Sequence, residues 1–170
     1  MEALQAILSR RSIRAYSKEN VSEDILRQIL EAAMSAPSAG NAQPWHFVVI
    51  RDRQILDAVP GFHPFSGMLR QAPLAILVCG DPTLEKYTGF WVQDCSAATQ
   101  NILIAARALG LGAVWLGFYP KEDRIEGIRK ILGIPDHIIP LAMVSIGWPA
   151  EEKPPAARYR EDRVRRDRWE

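Results

Sequence analysis

The stretch from residue 90 to residue 109 constrains the fold of this chain more than any other feature. Apolar residues recur along it at helical spacing: Cys95, Ala98, Ile102, Ala105 and Leu109. Much of the remaining helix surface is apolar as well, and a helix that is apolar nearly all round must be buried on several sides. The chain has 170 residues, which is the size of one ordinary domain. Part of the burial could therefore come from a second subunit.

Helical and extended patterns alternate along the rest of the chain. Apolar spacing and turn residues predict helices over residues 22–35, 54–59 and 122–132, and strands over residues 46–50, 74–79, 113–116 and 139–146. Ser22 has the properties of an N-cap, and Gly110 ends the long helix in the expected way. The alternation is typical of an α/β or an α+β domain.

Composition argues against several classes of protein. The formal net charge is +1, which makes nucleic acid an unexpected main partner. No run of about 18 apolar residues is present, so no membrane span is expected, and the first residues lack a signal-peptide pattern. Cys79 and Cys95 are too few and too far apart for a disulfide framework and are predicted to be core thiols. These features together predict a cytoplasmic protein.

The last stretch, residues 149–170, differs in character from the rest. After Pro154 and Pro155 the chain carries mixed charge and few apolar groups, so this segment cannot fold alone. It is either disordered or laid along another surface. Trp169 favours the second possibility, because an exposed terminal tryptophan would gain nothing from folding.

The familiar catalytic motifs are missing from the sequence. There is no GxSxG elbow, no HExxH helix and no Walker A loop. The three histidines lack the spacing of metal ligands. Gly110, Gly112 and Gly117 follow a helix and precede a strand, which is the reverse of a dinucleotide-binding turn. Any chemistry is therefore expected to belong to a bound cofactor rather than to a catalytic side chain or a metal.

Three polar segments could form one binding site. The first runs from Arg10 to Arg14, and its guanidinium groups suit a phosphate and an electron-rich ring. The second is the loop of residues 37–45, whose small groups let the backbone approach a flat ligand closely. The third is the turn of residues 110–118, with backbone amides near Leu116 and Gly117. Taken singly, each also fits an ordinary solvated turn, connecting loop or helix cap.

Read together, these segments resemble the nitroreductase family of FMN-dependent oxidoreductases. The resemblance rests on an Arg-Arg-Ser-Ile-Arg opening, an Asn-Ala-Gln-Pro-Trp-His-Phe loop and strand, an Ala-Leu-Gly-Leu-Gly-Ala-Val-Trp-Leu-Gly turn and a closing Arg-Tyr pair, in this order. It implies an α+β fold with a mixed sheet flanked by helices, in an intertwined homodimer with FMN at the subunit interface. Residues 1–170 would form a single domain, with residues from about 150 to 170 as an arm that wraps the partner.

The resemblance also implies which residues hold the cofactor. Arg10 and Ser12 would bind the phosphate and the ribityl chain of FMN, with Arg11 close to the phosphate. Arg14 would lie near the N1–O2 edge of the ring, where a cation stabilises the reduced flavin. Arg158 would close on the phosphate from the C-terminal segment.

Two further segments would complete this site. The loop of the partner subunit would cover the ring with the residues Pro37, Ser38, Ala39 and Asn41. Gln43 is a further candidate in that loop. The backbone amides of Leu116 and Gly117 would face flavin N5 and O4, with Trp115 beside them. Residues 63–68 lack the Asn and Lys that are expected of a further ring contact.

The reaction implied by the resemblance is hydride transfer in two half-reactions. NADH or NADPH would deliver hydride to flavin N5 and leave, and a small electron-poor acceptor such as a nitroaromatic or a quinone would take its place. Other flavin chemistry on the same fold, such as reductive dehalogenation or flavin fragmentation, stays open, as does a non-enzymatic flavin-binding role. A nucleic-acid-binding module built on the arginines of residues 160–168 is disfavoured by the interleaved acids.

Overall fold

The computed structural model describes residues 1–169. The helices are α1 (Ala3–Ser9), α2 (Glu23–Met34), α3 (Arg53–Ala58), α4 (Trp91–Ala108) and α5 (Glu122–Leu132), and the strands are β1 (Trp45–Ile50), β2 (Leu74–Gly80), β3 (Gly112–Gly117) and β4 (Ile139–Gly147). The predicted helices and strands are confirmed, each within one residue of its predicted bounds. Helix α1 ends at Ser9, one residue before the arginine run of residues 10–14.

The sheet has the order β1-β2-β4-β3, and every pair of neighbours is antiparallel. Parallel pairing occurs in the described chain at one isolated bridge, between Ser12 and Ala113, so the sheet of one chain is antiparallel and not mixed as the resemblance implied. Antiparallel strands with helices packed on both faces make the domain α+β, which decides between the two classes that the alternation allowed.

Each face of the sheet has its own core. Side chains alternate along β2, so that Leu74, Ile76 and Val78 pack with α2 and α4, while Ala75, Leu77 and Cys79 pack with α3 and α5. Every residue of β2 is buried as a result. The strand therefore reads as a continuous apolar run rather than as an alternating one.

Helix α4 lies across the first of these faces and contacts α2 as well as the sheet. Its buried side includes Cys95, Ala98 and Ile102, which are fully enclosed. Ala97 and Ile104, on its other side, are half-buried. One protomer thus encloses part of the apolar surface of α4 and leaves part of it accessible.

The two cysteines are buried free thiols, which confirms the prediction that they belong to the core. Burial raises the pKa of Cys79 and of Cys95 to about 12. A thiol of that kind packs as a small apolar group and is a poor nucleophile near neutral pH.

Candidate functional site

The arginine run lies along the free edge of β3. The backbone N–H of Ile13 donates to the carbonyl of Ala113 at 3.1 Å, beside the Ser12–Ala113 bridge. Gly112 permits this close approach, because a Cβ at that position would lie 2.6 Å from Cγ2 of Ile13. The first and third sequence segments are therefore neighbours within one chain.

A cavity of about 300 Å³ opens beside the arginine run. Its charged lining consists of four cationic side chains and two carboxylates: Arg10, Arg11, Arg107, Lys153, Glu151 and Glu152. The pKa of Arg10 is held below its ordinary value, chiefly by burial and then by the positive charges of Arg158 and Arg11. Within residues 1–169 no carboxylate forms an ion pair with Arg10, Arg11 or Arg158. The cavity therefore has unbalanced positive charge.

Arg11 is largely occupied by the protein itself. Its Nη1 donates to the carbonyls of Leu8 and Arg10, at 3.0 and 2.6 Å, where α1 ends. Its Nε donates to the carbonyl of Pro154 at 2.8 Å and so ties the C-terminal segment to α1. The remaining nitrogen, Nη2, is buried without a hydrogen-bond partner among the described residues. Arg11 thus ties α1 to the C-terminal segment and keeps one nitrogen, with its two N–H donors, unpartnered within residues 1–169.

Glu151 fixes the backbone at Arg14 and leaves the guanidinium free. The Arg14 N–H donates to Oε1 of Glu151 at 2.5 Å, and Lys153 lies 3.2 Å from the same oxygen. The hydrogen bond from Arg14 is the main reason that the pKa of Glu151 is lowered. Lys153 also donates to the Ser12 carbonyl at 2.6 Å. Because Lys153 compensates Glu151, the exposed Arg14 side chain keeps its charge for another partner.

The edge of β3 presents the amide of Gly117 but not that of Leu116. Hydrogen-bonded and open pairs alternate in an antiparallel ladder. Phe118 donates to the carbonyl of Leu141 at 3.0 Å, so the pair two residues earlier, Leu116 with Met143, is also hydrogen-bonded. The structure therefore differs from the prediction for Leu116, whose amide is used inside the sheet. The polar backbone groups of Gly117 point away from β4.

Two side chains that the sequence did not single out meet at Gly117. Arg124 of α5 donates from Nη1 to the Gly117 carbonyl at 2.8 Å, and Nε2 of His63 lies 3.0 Å from the same oxygen. Burial lowers the pKa of His63. Local sequence gives no signal for this meeting, because Arg124 looks like any solvated arginine on an amphipathic helix.

Hydrogen bonds hold the loop of residues 37–45 in place within the single chain. The N–H of Ala39 donates to buried Asp94 at 3.0 Å, and Lys86 donates to the carbonyl of Gly40 at 2.5 Å. Asn41 and Gln43 have positive φ angles of 55° and 50°, which non-glycine residues adopt at a cost. Ser38 accepts from the N–H of Gln43, and the Asn41 side-chain oxygen accepts from the Gln43 side chain.

This loop lies far from the arginine run of its own chain. Helix α4 holds the loop at Asp94 and holds the end of α1 through a 3.0 Å hydrogen bond from Arg107 to Ser9. Those two positions are separated by about 20 Å along the helix axis. The loop leads into β1, at the opposite edge of the sheet from Gly117, so three strand spacings, or about 14 Å, separate the two. One protomer therefore brings together the first and third segments and leaves out the second.

Two other features are absent from the described residues. Residues 1–169 contain no group of three or more histidine, cysteine, aspartate or glutamate side chains that could hold a metal ion. None of the helices in that range has the length and apolar character needed to cross a membrane.

Comparison with known proteins identifies the family. The family model described as "Nitroreductase family" matches residues 7–60 and 63–148. A provisionally named NADH dehydrogenase/NAD(P)H nitroreductase of Methanothermobacter thermautotrophicus is 51% identical over 169 residues, covering 99% of this chain and 88% of the relative. A provisionally named nitroreductase from Desulfovibrio desulfuricans, solved in complex with FMN, has a TM-score of 0.86 and 34% identity, covering 100% of this chain and 99% of that one. The NADH dehydrogenase of Thermus thermophilus is 33% identical, covering 96% of this chain and 95% of the relative. This chain belongs to the nitroreductase family.

Proposed function

We propose that this protein is an FMN-dependent NAD(P)H oxidoreductase that passes hydride to a small electron-poor acceptor, such as a nitroaromatic or a quinone. FMN, when bound, would supply the redox chemistry, which is hydride transfer from NADH or NADPH to the acceptor in two half-reactions. A relative from Bacillus subtilis, 28% identical and matched over 96% of this chain, is named FMN reductase [NAD(P)H].

One observation carries the proposal: a cluster of unpaired guanidiniums beside a cavity, adjoining a strand edge with free backbone groups. A phosphate monoester carries about −1.5 to −2 charges at neutral pH. Such a group would compensate Arg10 and Arg158 and could give buried Nη2 of Arg11 its missing partner. The residues present therefore fit the phosphate end of FMN.

The rest of the arrangement fits the ring end. The bond from Arg14 N–H to Glu151 holds the backbone so that the Arg14 guanidinium can stabilise added negative charge. The Gly117 N–H faces the open edge, where it can donate to a ring acceptor. Trp115, half-buried in the same strand, would lie alongside. These are binding and orienting roles, and none of them needs an acid–base side chain.

We propose that a second copy of the chain completes the site. Because the loop of residues 37–45 lies about 14 Å or more from Gly117 in its own chain, its place would be over the ring held by a partner. The loop residues for this role are Pro37, Ser38, Ala39 and Asn41. Asp94 and Lys86 fix the loop before any partner arrives, which limits the entropy lost on assembly.

The C-terminal arm is the second part of that dimer proposal. Residues 156–169 are exposed, and the hydrogen bonds they form within the described chain join members of the same segment. Tyr159 and Trp169 are 76% and 86% exposed. Residues 1–170 would thus be one domain whose arm buries these rings on the partner.

Free thiols at Cys79 and Cys95 suit a reducing compartment, and we place the protein in the cytoplasm.

The test is to purify the protein, record its visible spectrum and measure its mass in solution. We expect a yellow dimer whose absorbance bleaches when NADH or NADPH is added without oxygen and returns when a quinone is added. A colourless protein that binds no added FMN would refute the proposed function. A monomer that binds FMN would refute only the shared site.

A further inference from the structure

The carbonyl of Gly117 is held from two directions. Arg124 and His63 donate to this one oxygen, at 2.8 and 3.0 Å, and a carbonyl offers two lone pairs. Since a carbonyl can only accept, Nε2 of His63 must carry the proton. The orientation of the peptide that follows Gly117 is therefore fixed by side chains from two other parts of the fold, the loop before residue 67 and α5.

Arg124 brings a charge that the protein does not neutralise. In residues 1–169 no carboxylate forms an ion pair with it. Its guanidinium lies over the exposed ring of Phe65, 5.6 Å from the centroid. A cation over an aromatic face is held in place without losing its charge. The half-buried setting also screens that charge less than open solvent would.

We infer that Arg124 and His63 are positioning residues for the flavin, which fix the Gly117 backbone at the ring edge and favour the reduced cofactor through the charge of Arg124. This inference rests on the proposed function. A reduced flavin carries more negative charge than an oxidised one, so a cation held on the same strand edge, beside the Gly117 N–H that faces the ring, stabilises reduction. His63 is neutral and contributes direction rather than charge.

The same helix offers a matched control. Arg129 is also a half-buried arginine of α5, and its Nη2 donates to the carbonyl of Ile138 at 3.1 Å instead of to Gly117. Arg124→Gln and Arg129→Gln therefore remove the same charge from the same helix, with one change at the site and one away from it. Arg124→Lys keeps the charge and a donor group, an ammonium in place of the guanidinium.

The experiment measures the midpoint potential of bound FMN against a reference dye. For Arg124→Gln we expect at least a tenfold fall in the equilibrium constant for reduction, which is about 30 mV for a two-electron couple. Arg124→Lys should recover most of this shift, and Arg129→Gln should show none. Equal potentials in Arg124→Gln and wild type, or an equal shift in Arg129→Gln, would overturn the inference.

A second measurement keeps the inference testable if Arg124→Gln does not fold. His63→Gln retains a side-chain donor, whereas His63→Leu removes it. We expect His63→Leu to weaken FMN binding several-fold relative to His63→Gln, and equal affinities would contradict the positioning role. A wild-type chain that binds no FMN would overturn the proposed function and this inference with it, whereas unchanged variants of an FMN-binding wild type overturn only the inference.

Discussion

Replacing Gly117 by alanine tests whether this residue contacts the cofactor, because the change should affect FMN binding and not the stability of the empty protein. No atom lies within 4 Å of a Cβ placed at Gly117, and its φ angle is outside the left-handed region. The added methyl group should therefore change the free energy of unfolding of the apo-protein by no more than about 0.5 kcal/mol. For a chain of this length that corresponds to a shift in Tm of about 1–2 °C.

Bound FMN should change that result. If the ring lies against the edge at Gly117, the methyl group fills space that the ring needs, and overpacking of this kind costs about 1–3 kcal/mol. The Kd for FMN should then rise roughly 5- to 150-fold. Affinity would fall while the stability of the empty protein stays as it was.

The assay pairs thermal unfolding of the apo-protein with titration of FMN fluorescence. Gly61→Ala is the neutral control, because a Cβ there also meets nothing within 4 Å. Gly112→Ala is the steric control, because its Cβ would lie 2.6 Å from Ile13, and it should lower Tm without any cofactor. An FMN affinity of Gly117→Ala within twofold of wild type would refute the placement of the ring at this edge.

Three other outcomes are expected. Arg10→Gln should raise the Kd for FMN roughly 10- to 150-fold, because it removes a charged hydrogen bond. Arg14→Gln should slow flavin reduction more than it weakens FMN retention. If each variant changed the rate of reduction and the Kd equally, this division of roles would be contradicted. Asp94→Ala leaves the N–H of Ala39 without its acceptor and should lower Tm by roughly 2–10 °C, whereas Asp94→Asn keeps an acceptor and should lower it less. The pKa of Glu151 is lowered in the folded protein, so this carboxylate contributes its full stabilisation above pH 4.5, the ordinary pKa of the group. The stabilisation is lost as the pH falls through the folded-state pKa. Glu151→Gln should therefore flatten the acid side of a curve of Tm against pH.

The helices and strands could be predicted closely, because the buried face of each element places apolar residues at a regular spacing in the sequence. Strand β2 is apolar at every position because it is covered on both faces, and α4 carries apolar residues at helical spacing. The orientation of the backbone amides could not be predicted in the same way. Whether the amide of Leu116 or of Gly117 faces outward depends on the register of β3 against β4, and nothing local to either residue fixes that register.

The same limit applies to His63 and Arg124. They lie 61 positions apart and meet at Gly117 only because the sheet and α5 bring three separate parts of the chain to one carbonyl. A sequence motif records residues that are close along the chain. Contacts of this kind leave no such record, so the structure is needed to find them.

Helix α4 connects the predicted dimer with the divided site. It holds the ring-covering loop at Asp94 and the start of the arginine run near Arg107, about 20 Å apart. A monomer would leave the loop without a ring to cover and would leave half-buried apolar side chains such as Ile104 in water. Pairing two such helices would cover those side chains and bring each loop to the other chain's arginines. Dimer formation would then explain both the apolar surface of α4 and the distance between the two halves of the site.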